Sequence, residues 1–138
     1  MNRDLPPFRA AVEAGVPMVM AGHLVCPTLD PERPASLSPA AMKLLREDLD
    51  FDGVILMDDL AMEGATRGGA PAQAAVEAVG AGVDLLLITG TLEEQTAAYE
   101  AVVAAVESGE IPSERIDAFV ERIAYLKHRY PLYSGGSR

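Results

Sequence analysis

Two adjacent carboxylates, Asp58 and Asp59, directly follow the apolar run Gly53–Met57. Charged groups at the end of a buried strand are costly unless they lie in a cleft, accept hydrogen bonds or bind a metal. Successive side chains of a strand point to opposite faces, so at most one of the pair faces a common pocket. A carboxylate in such a pocket can act as a nucleophile or as a general acid or base. We therefore favour a chemical role for Asp58. For Asp59, a chemical role and a structural role that caps the backbone of Leu60–Glu63 are equally supported.

Polar residues also follow two other apolar runs, Gly15–Ala21 and Gly82–Ile88. His23 comes after the first run, and Thr89 comes after the second. Ligands of α/β folds bind at the carboxyl ends of the parallel strands. His23 is therefore a candidate binding residue. The alternative for a single histidine at this position is a purely structural hydrogen-bonded role.

The elements that would position these residues are three strands alternating with helices. Continuous apolar runs of strand length are typical of parallel sheets covered on both faces. Caps and apolar spacing predict helices over Leu5–Ala14, from Ser38, over Pro71–Val79, over Thr91–Glu107 and from Ser113. The repeated order of strand and helix predicts an α/β fold with parallel neighbours. A closed eight-stranded barrel needs about 250 residues, so this chain would supply only part of one.

Composition restricts the classes of protein. The 138 residues suit one domain, and 49% hydrophobic with 23% charged residues predicts a globular chain. A net charge of −10 argues against nucleic acid and against anionic membranes as partners. No apolar run approaches the length of a membrane span, and Met1–Arg9 has no signal pattern, so we expect a cytoplasmic protein. The single cysteine, Cys26, excludes an internal disulfide and is expected to be buried.

The segment Leu44–Ala65 (LLREDLDFDGVILMDDLAMEGA) resembles the nucleophile region of glycoside hydrolase family 3, in its β-N-acetylhexosaminidase branch. Val19–His23 and Pro27–Ser38 are similar to the preceding strand and loop of that family. The resemblance runs in order from about Asp4 to about Arg129. It implies the last three βα units of a (β/α)8 TIM-type barrel, a partial barrel with three parallel strands and flanking helices.

This partial barrel would occupy residues 1–133, with a flexible tail at 134–138. The resemblance implies retaining hydrolysis of terminal β-linked N-acetylhexosamine, as in cell-wall recycling, without a metal or other cofactor. Asp58 matches the family's nucleophile, and His23 and Asp59 are implied to contact the sugar. Met57 departs from the motif, because the family usually carries a small hydroxyl residue there.

The family's acid/base dyad of Asp and His, and its sugar-binding Lys-His pair, lie upstream of the matched region and are absent from this sequence. One hypothesis is therefore an enzyme fragment completed by a missing N-terminal half or by a second copy of the chain. The alternative is a non-catalytic α/β remnant that associates with itself through its open sheet edges. A phospho-accepting receiver domain is disfavoured, because the third run ends in Thr89-Gly90 and no lysine follows before Lys127.

Overall fold

The computed structural model describes residues 4–131, which contain both strands and helices. The elements in chain order are α1 (Pro6–Glu13), β1 (Met18–Ala21), β2 (Val25–Cys26), β3 (Asp30–Pro34), α2 (Pro39–Lys43), β4 (Val54–Met57), α3 (Glu63–Thr66), α4 (Pro71–Ala81), α5 (Leu92–Glu107) and α6 (Ser113–Arg129). A 3-10 turn at Ala35–Leu37 precedes α2, and a π-helical turn at Leu44–Asp48 extends it. The predicted tail and the boundary at residue 133 lie outside the described residues.

The central sheet pairs β1 with β4 in parallel, as the sequence predicts. The third predicted strand, Gly82–Ile88, lies along the other side of β4 but forms only one bridge, between Leu56 and Leu85. Its hydrogen bonds follow a parallel pattern: the amide of Leu85 donates to Ile55 (3.1 Å), and the amide of Met57 donates to Leu85 (3.0 Å). Beyond this bridge, the amide of Leu60 donates to Leu87 at 2.8 Å, so the segment continues beside the loop that follows β4 and not beside a strand.

The proline-rich connection after β1 is an antiparallel hairpin of β2 and β3, which the sequence analysis missed. The turn between them is closed by the amide of Leu29, which donates to Cys26 at 2.9 Å, and within β3 the Asp30 carboxylate accepts the amides of Glu32 and Arg33, both at 3.1 Å. The amides of Glu32 and Arg33 thus have a local partner, whereas the two prolines of β3 have no amide to donate. Cys26 lies exposed in this hairpin, so the expectation that it is buried was wrong.

The predicted starts of α2 and α5 are confirmed. The Ser38 hydroxyl accepts the amide of Ala41 at 3.3 Å, with proline at the first helical position. Thr91 accepts the amide of Glu94 at 3.2 Å, and the Glu94 carboxylate accepts the amide of Thr91 at 2.7 Å. Both arrangements satisfy amides that have no partner within the helix.

The main core lies between the sheet and the helices α2, α4 and α5. Ile55, Met57 and Leu60 are fully buried there. Helix α6 docks less completely than its apolar stripe predicts, because Phe119 is only partly buried and Val120 is 52% exposed. Between residues 4 and 131, no helix combines the length and the apolar character needed to cross a membrane.

A buried carboxylate, Asp84, joins the amino ends of the strands to two helical segments. It receives Arg46 of the π-helical turn, and Arg115 (3.3 Å) and Arg122 (3.0 Å) of α6. It also accepts the amide of Ile55 in β4 at 2.8 Å. The sequence analysis missed this cluster, although a lone aspartate inside the run Gly82–Ile88 was a signal for it.

Candidate active site

Asp58 lies at the carboxyl edge of the sheet, where β4 ends. Its amide donates to the carbonyl oxygen of Ala21 in β1 at 3.1 Å, so the residue is anchored beside the end of that strand. The side chain is half-buried. One carboxylate oxygen accepts the amide of Asp59 at 2.8 Å, which is the one hydrogen bond that this carboxylate receives within residues 4–131. Its second oxygen is therefore open to an incoming group.

Asp59 turns toward the end of the third segment. Its carboxylate accepts the amide and the hydroxyl of Thr89, the amide at 3.0 Å, and also the amide of Ala61 at 3.0 Å. The Thr89 hydroxyl, followed by the two amides, holds the pKa of Asp59 below its ordinary value of 3.8. The hydrogen bond from Ala61 is the predicted cap of the Leu60–Glu63 backbone. Because its pKa is lowered, the Asp59 carboxylate is ionised near neutral pH.

His23 connects the end of β1 to Asp59. Its Nε2 lies 3.0 Å from the carbonyl oxygen of Asp59, and its Nδ1 lies 2.7 Å from the hydroxyl of Ser36. A carbonyl oxygen only accepts, so Nε2 carries a proton and donates to Asp59, while Nδ1 and the Ser36 hydroxyl share the second hydrogen bond. Both ring nitrogens thus have protein partners. Sugar contact by His23 and by Asp59 stays a prediction.

Two neighbours of this site were not assigned by the sequence analysis. Ser36 is fully buried in the 3-10 turn after β3, and no periodicity points to it. Gly64 lies against His23, and a Cβ at position 64 would stand 2.8 Å from the Cβ of His23. The glycine therefore allows the chain after β4 to approach the histidine.

The arrangement supports nucleophilic chemistry better than metal chemistry. Asp58 has an open oxygen, whereas both carboxylate oxygens of Asp59 accept hydrogen bonds, from Thr89 and Ala61. Across the part of the chain that the structure describes, no group of three or more His, Cys, Asp or Glu side chains could hold a metal ion. A half-exposed carboxylate with one fixed and one free oxygen is suited to attack an electrophilic carbon.

Known proteins resemble the chain in both sequence and structure. It is 35% identical over 134 residues to the β-hexosaminidase LpqI of Mycobacterium tuberculosis, covering 93% of this chain and 34% of that protein. A β-hexosaminidase of Vibrio cholerae is 39% identical over 92 residues, covering 66% of this chain and 28% of the relative. The chain thus spans about a third or less of these relatives.

A solved structure agrees closely with the fold. A glycoside hydrolase family 3 β-N-acetylglucosaminidase from Paenibacillus sp. str. FPU-7 superposes with a TM-score of 0.92 and 42% identity, covering 97% of this chain and 26% of that one. The family model described as "Glycosyl hydrolase family 3 N terminal domain" matches residues 1–126. That domain is a TIM-barrel-like α/β fold, in keeping with the parallel strands seen here. The chain therefore belongs to glycosyl hydrolase family 3.

Proposed function

We propose that the chain is the nucleophile-bearing part of a retaining β-N-acetylhexosaminidase that acts on terminal β-linked N-acetylhexosamine. The observation that carries the proposal is the position of Asp58, half-buried at the carboxyl edge of the sheet with one oxygen held and the other open. The names of the relatives, β-hexosaminidase and β-N-acetylglucosaminidase, support this substrate class. Cell-wall recycling and a cytoplasmic location stay predictions.

In the proposed reaction, the open oxygen of Asp58 attacks the anomeric carbon as the glycosidic bond breaks. The electron pair of that bond leaves with the departing oxygen, which takes a proton from a general acid. The glycosyl ester on Asp58 is then displaced by water, whose proton returns to the same group acting as base. His23 and Asp59 would border the bound sugar.

Asp59 is poorly suited to be the general acid, because both of its oxygens already accept hydrogen bonds. An efficient acid has a pKa raised toward the working pH, whereas the hydrogen bonds from Thr89 and Ala61 lower the pKa of Asp59. We therefore propose that the acid/base comes from outside this chain, on the five barrel units that would complete these three. Its absence should slow hydrolysis by about 10²–10⁴-fold.

The test is the release of 4-nitrophenol from its N-acetyl-β-glucosaminide by the purified chain, compared with Asp58→Ala and Asp58→Asn. Asp117→Asn, which changes an exposed aspartate of α6, is the matched control. We expect slow turnover that both Asp58 variants abolish and the control retains. A natural disaccharide should react more slowly still, because its leaving group depends more on an acid. Turnover that survives in Asp58→Ala would exclude Asp58 as the nucleophile.

A second candidate function is a non-catalytic domain that associates with itself. It is favoured by apolar side chains exposed on the sheet: Met20 of β1 is 53% exposed, and Leu85 and Leu87 of the third segment are 37% and 39% exposed. Unpaired sheet edges are a common site of association. Light scattering across a range of concentrations distinguishes the candidates, since a stable dimer without turnover supports this one and an inactive monomer argues against it.

A further inference from the structure

We infer that Thr89 and Ser36 are positioning residues for Asp58, acting through Asp59 and His23 respectively. The catalytic meaning of this inference rests on the proposed function, in which Asp58 is the nucleophile. The geometry itself does not, because it concerns how the carboxylate is oriented.

The orientation of Asp58 depends on one donor, the amide of Asp59, at 2.8 Å from its carboxylate oxygen. A peptide group is planar, so this N–H points wherever the peptide between the two aspartates points. Whatever fixes residue 59 therefore fixes the direction of the Asp58 carboxylate. Residue 59 is held at two points, its side chain and its carbonyl group.

The side chain of Asp59 is held by Thr89. Two of its three hydrogen bonds come from this residue, one from the amide at 3.0 Å and one from the hydroxyl. The third comes from Ala61, only two positions along the chain. Among the described residues, Thr89 is thus the one partner that ties the side chain of Asp59 to another part of the sheet.

The carbonyl group of Asp59 is held by His23. The Nε2–H of His23 donates to this oxygen at 3.0 Å, and the amide of Met62 also donates to it at 3.1 Å. The ring of His23 is in turn oriented by Ser36, whose hydroxyl lies 2.7 Å from Nδ1. Ser36 is fully buried, and its amide donates to Gly22 at 3.2 Å. The backbone that carries its hydroxyl is therefore held in place.

The two chains of contacts approach residue 59 from opposite sides of β4. Thr89 follows the third segment on one side, and His23 follows β1 on the other. A nucleophile that is already held in its reactive orientation loses no further rotational freedom when the reaction takes place. Substitutions of Thr89 and Ser36 should therefore lower the rate constant of the chemical step more than they weaken substrate binding.

The test compares Thr89→Val, Thr89→Ser and Ser36→Ala. Thr89→Val keeps the shape and removes the hydroxyl, whereas Thr89→Ser retains it. Thr96→Val is the matched control, because the Thr96 hydroxyl donates only to Leu92 within its own helix. The first readout is the amide proton of Asp59 in 15N-labelled protein, which is sensitive to its bond with the Asp58 carboxylate.

We expect Thr89→Val and Ser36→Ala to move this amide resonance and to speed its hydrogen exchange by about 2–10-fold, the effect of losing one hydrogen bond. Thr89→Ser should restore both properties, and Thr96→Val should change neither. An Asp59 amide that is unchanged in both Thr89→Val and Ser36→Ala would overturn the inference, whatever the turnover.

The second readout is turnover of the 4-nitrophenyl substrate. Positioning predicts that Thr89→Val lowers kcat, leaves KM nearly unchanged and is rescued by Thr89→Ser. A raised KM with unchanged kcat would overturn positioning in favour of substrate binding. If the wild-type chain shows no turnover, the proposed function is not supported. If its Asp59 amide still responds to Thr89→Val, the positioning of Asp58 is supported independently.

Discussion

Carboxylates hold the two ends of this sheet in different ways. Asp84, at the amino ends, is fully buried and pairs with three arginines. Asp58 and Asp59, at the carboxyl ends, are half-buried and receive only neutral donors, namely amides and a hydroxyl. In barrel-type α/β folds the amino ends serve stability and the carboxyl ends carry chemistry.

The carboxylates at the two ends differ in whether their charge is neutralised by the protein. Arginine neutralises the charge of Asp84 and brings α6 and the turn after α2 onto the sheet, so this carboxylate has no capacity left for a ligand. A neutral donor, the amide of Asp59, orients Asp58 without cancelling its charge, which suits the proposed role of Asp58 as nucleophile. The comparison can be tested by substituting matched residues at each end, taken here from the largest expected loss of stability to the smallest effect.

The largest effect should come from Asp84→Asn. Removing one partner of a buried ionic cluster leaves unpaired charges, here three guanidinium groups, and typically lowers the free energy of unfolding by about 3–5 kcal/mol. Urea unfolding measures this change. Asp117→Asn, an exposed aspartate on α6, should stay within about 0.5 kcal/mol of wild type. A loss below about 1 kcal/mol for Asp84→Asn would contradict a stabilising role for the cluster.

Gly64→Ala should have an intermediate effect at the carboxyl end. The new Cβ would stand 2.8 Å from the Cβ of His23, and relieving such a contact typically costs about 1–3 kcal/mol. Gly80→Ala is the control, because a Cβ at this position in α4 meets no atom within 4 Å. It should stabilise the chain by about 0.5–1 kcal/mol, since alanine favours a helix. Thermal unfolding of both variants checks the opposite signs.

Asp58→Asn should barely change stability while removing turnover. The substitution keeps the size of the side chain, and its carbonyl oxygen can still accept the amide of Asp59. We expect the free energy of unfolding to stay within about 0.5 kcal/mol of wild type. A loss as large as that of Asp84→Asn, measured in the same urea titrations, would make Asp58 a structural residue and end the contrast between the two ends.

The smallest effect concerns the acid titration of Asp59. Its pKa in the folded chain lies below 3.8, mainly because of the Thr89 hydroxyl. Its hydrogen bonds therefore stabilise the fold fully above the ordinary aspartate range, and this contribution is lost as pH falls through the lowered pKa. Thr89→Val should raise the pKa toward 3.8 and so shift this loss to higher pH. A carboxyl-carbon NMR titration measures the shift, and an unchanged pKa would show that the hydroxyl is not its main cause.

Features governed by neighbours in the chain were predicted from the sequence. The capped starts of α2 and α5 depend on bonds from Ser38 to Ala41 and between Thr91 and Glu94, all three positions apart. The hairpin of β2 and β3 is also local, yet its prolines concealed it. For the third segment the local pattern was misleading, because its apolar residues indicate a strand, whereas it forms one bridge to β4 and then lies beside the loop after β4.

The sequence alone was enough to predict the parallel strands β1 and β4, the family and the position of Asp58 at a strand end. The surroundings of Asp58 depend on contacts between segments that lie far apart in the chain. His23 and Asp59 are 36 positions apart, Thr89 and Asp59 are 30 apart, and Arg122 and Asp84 are 38 apart. Periodicity and capping patterns report interactions within a few residues, whereas these contacts form because parallel strands bring distant segments to one edge of the sheet.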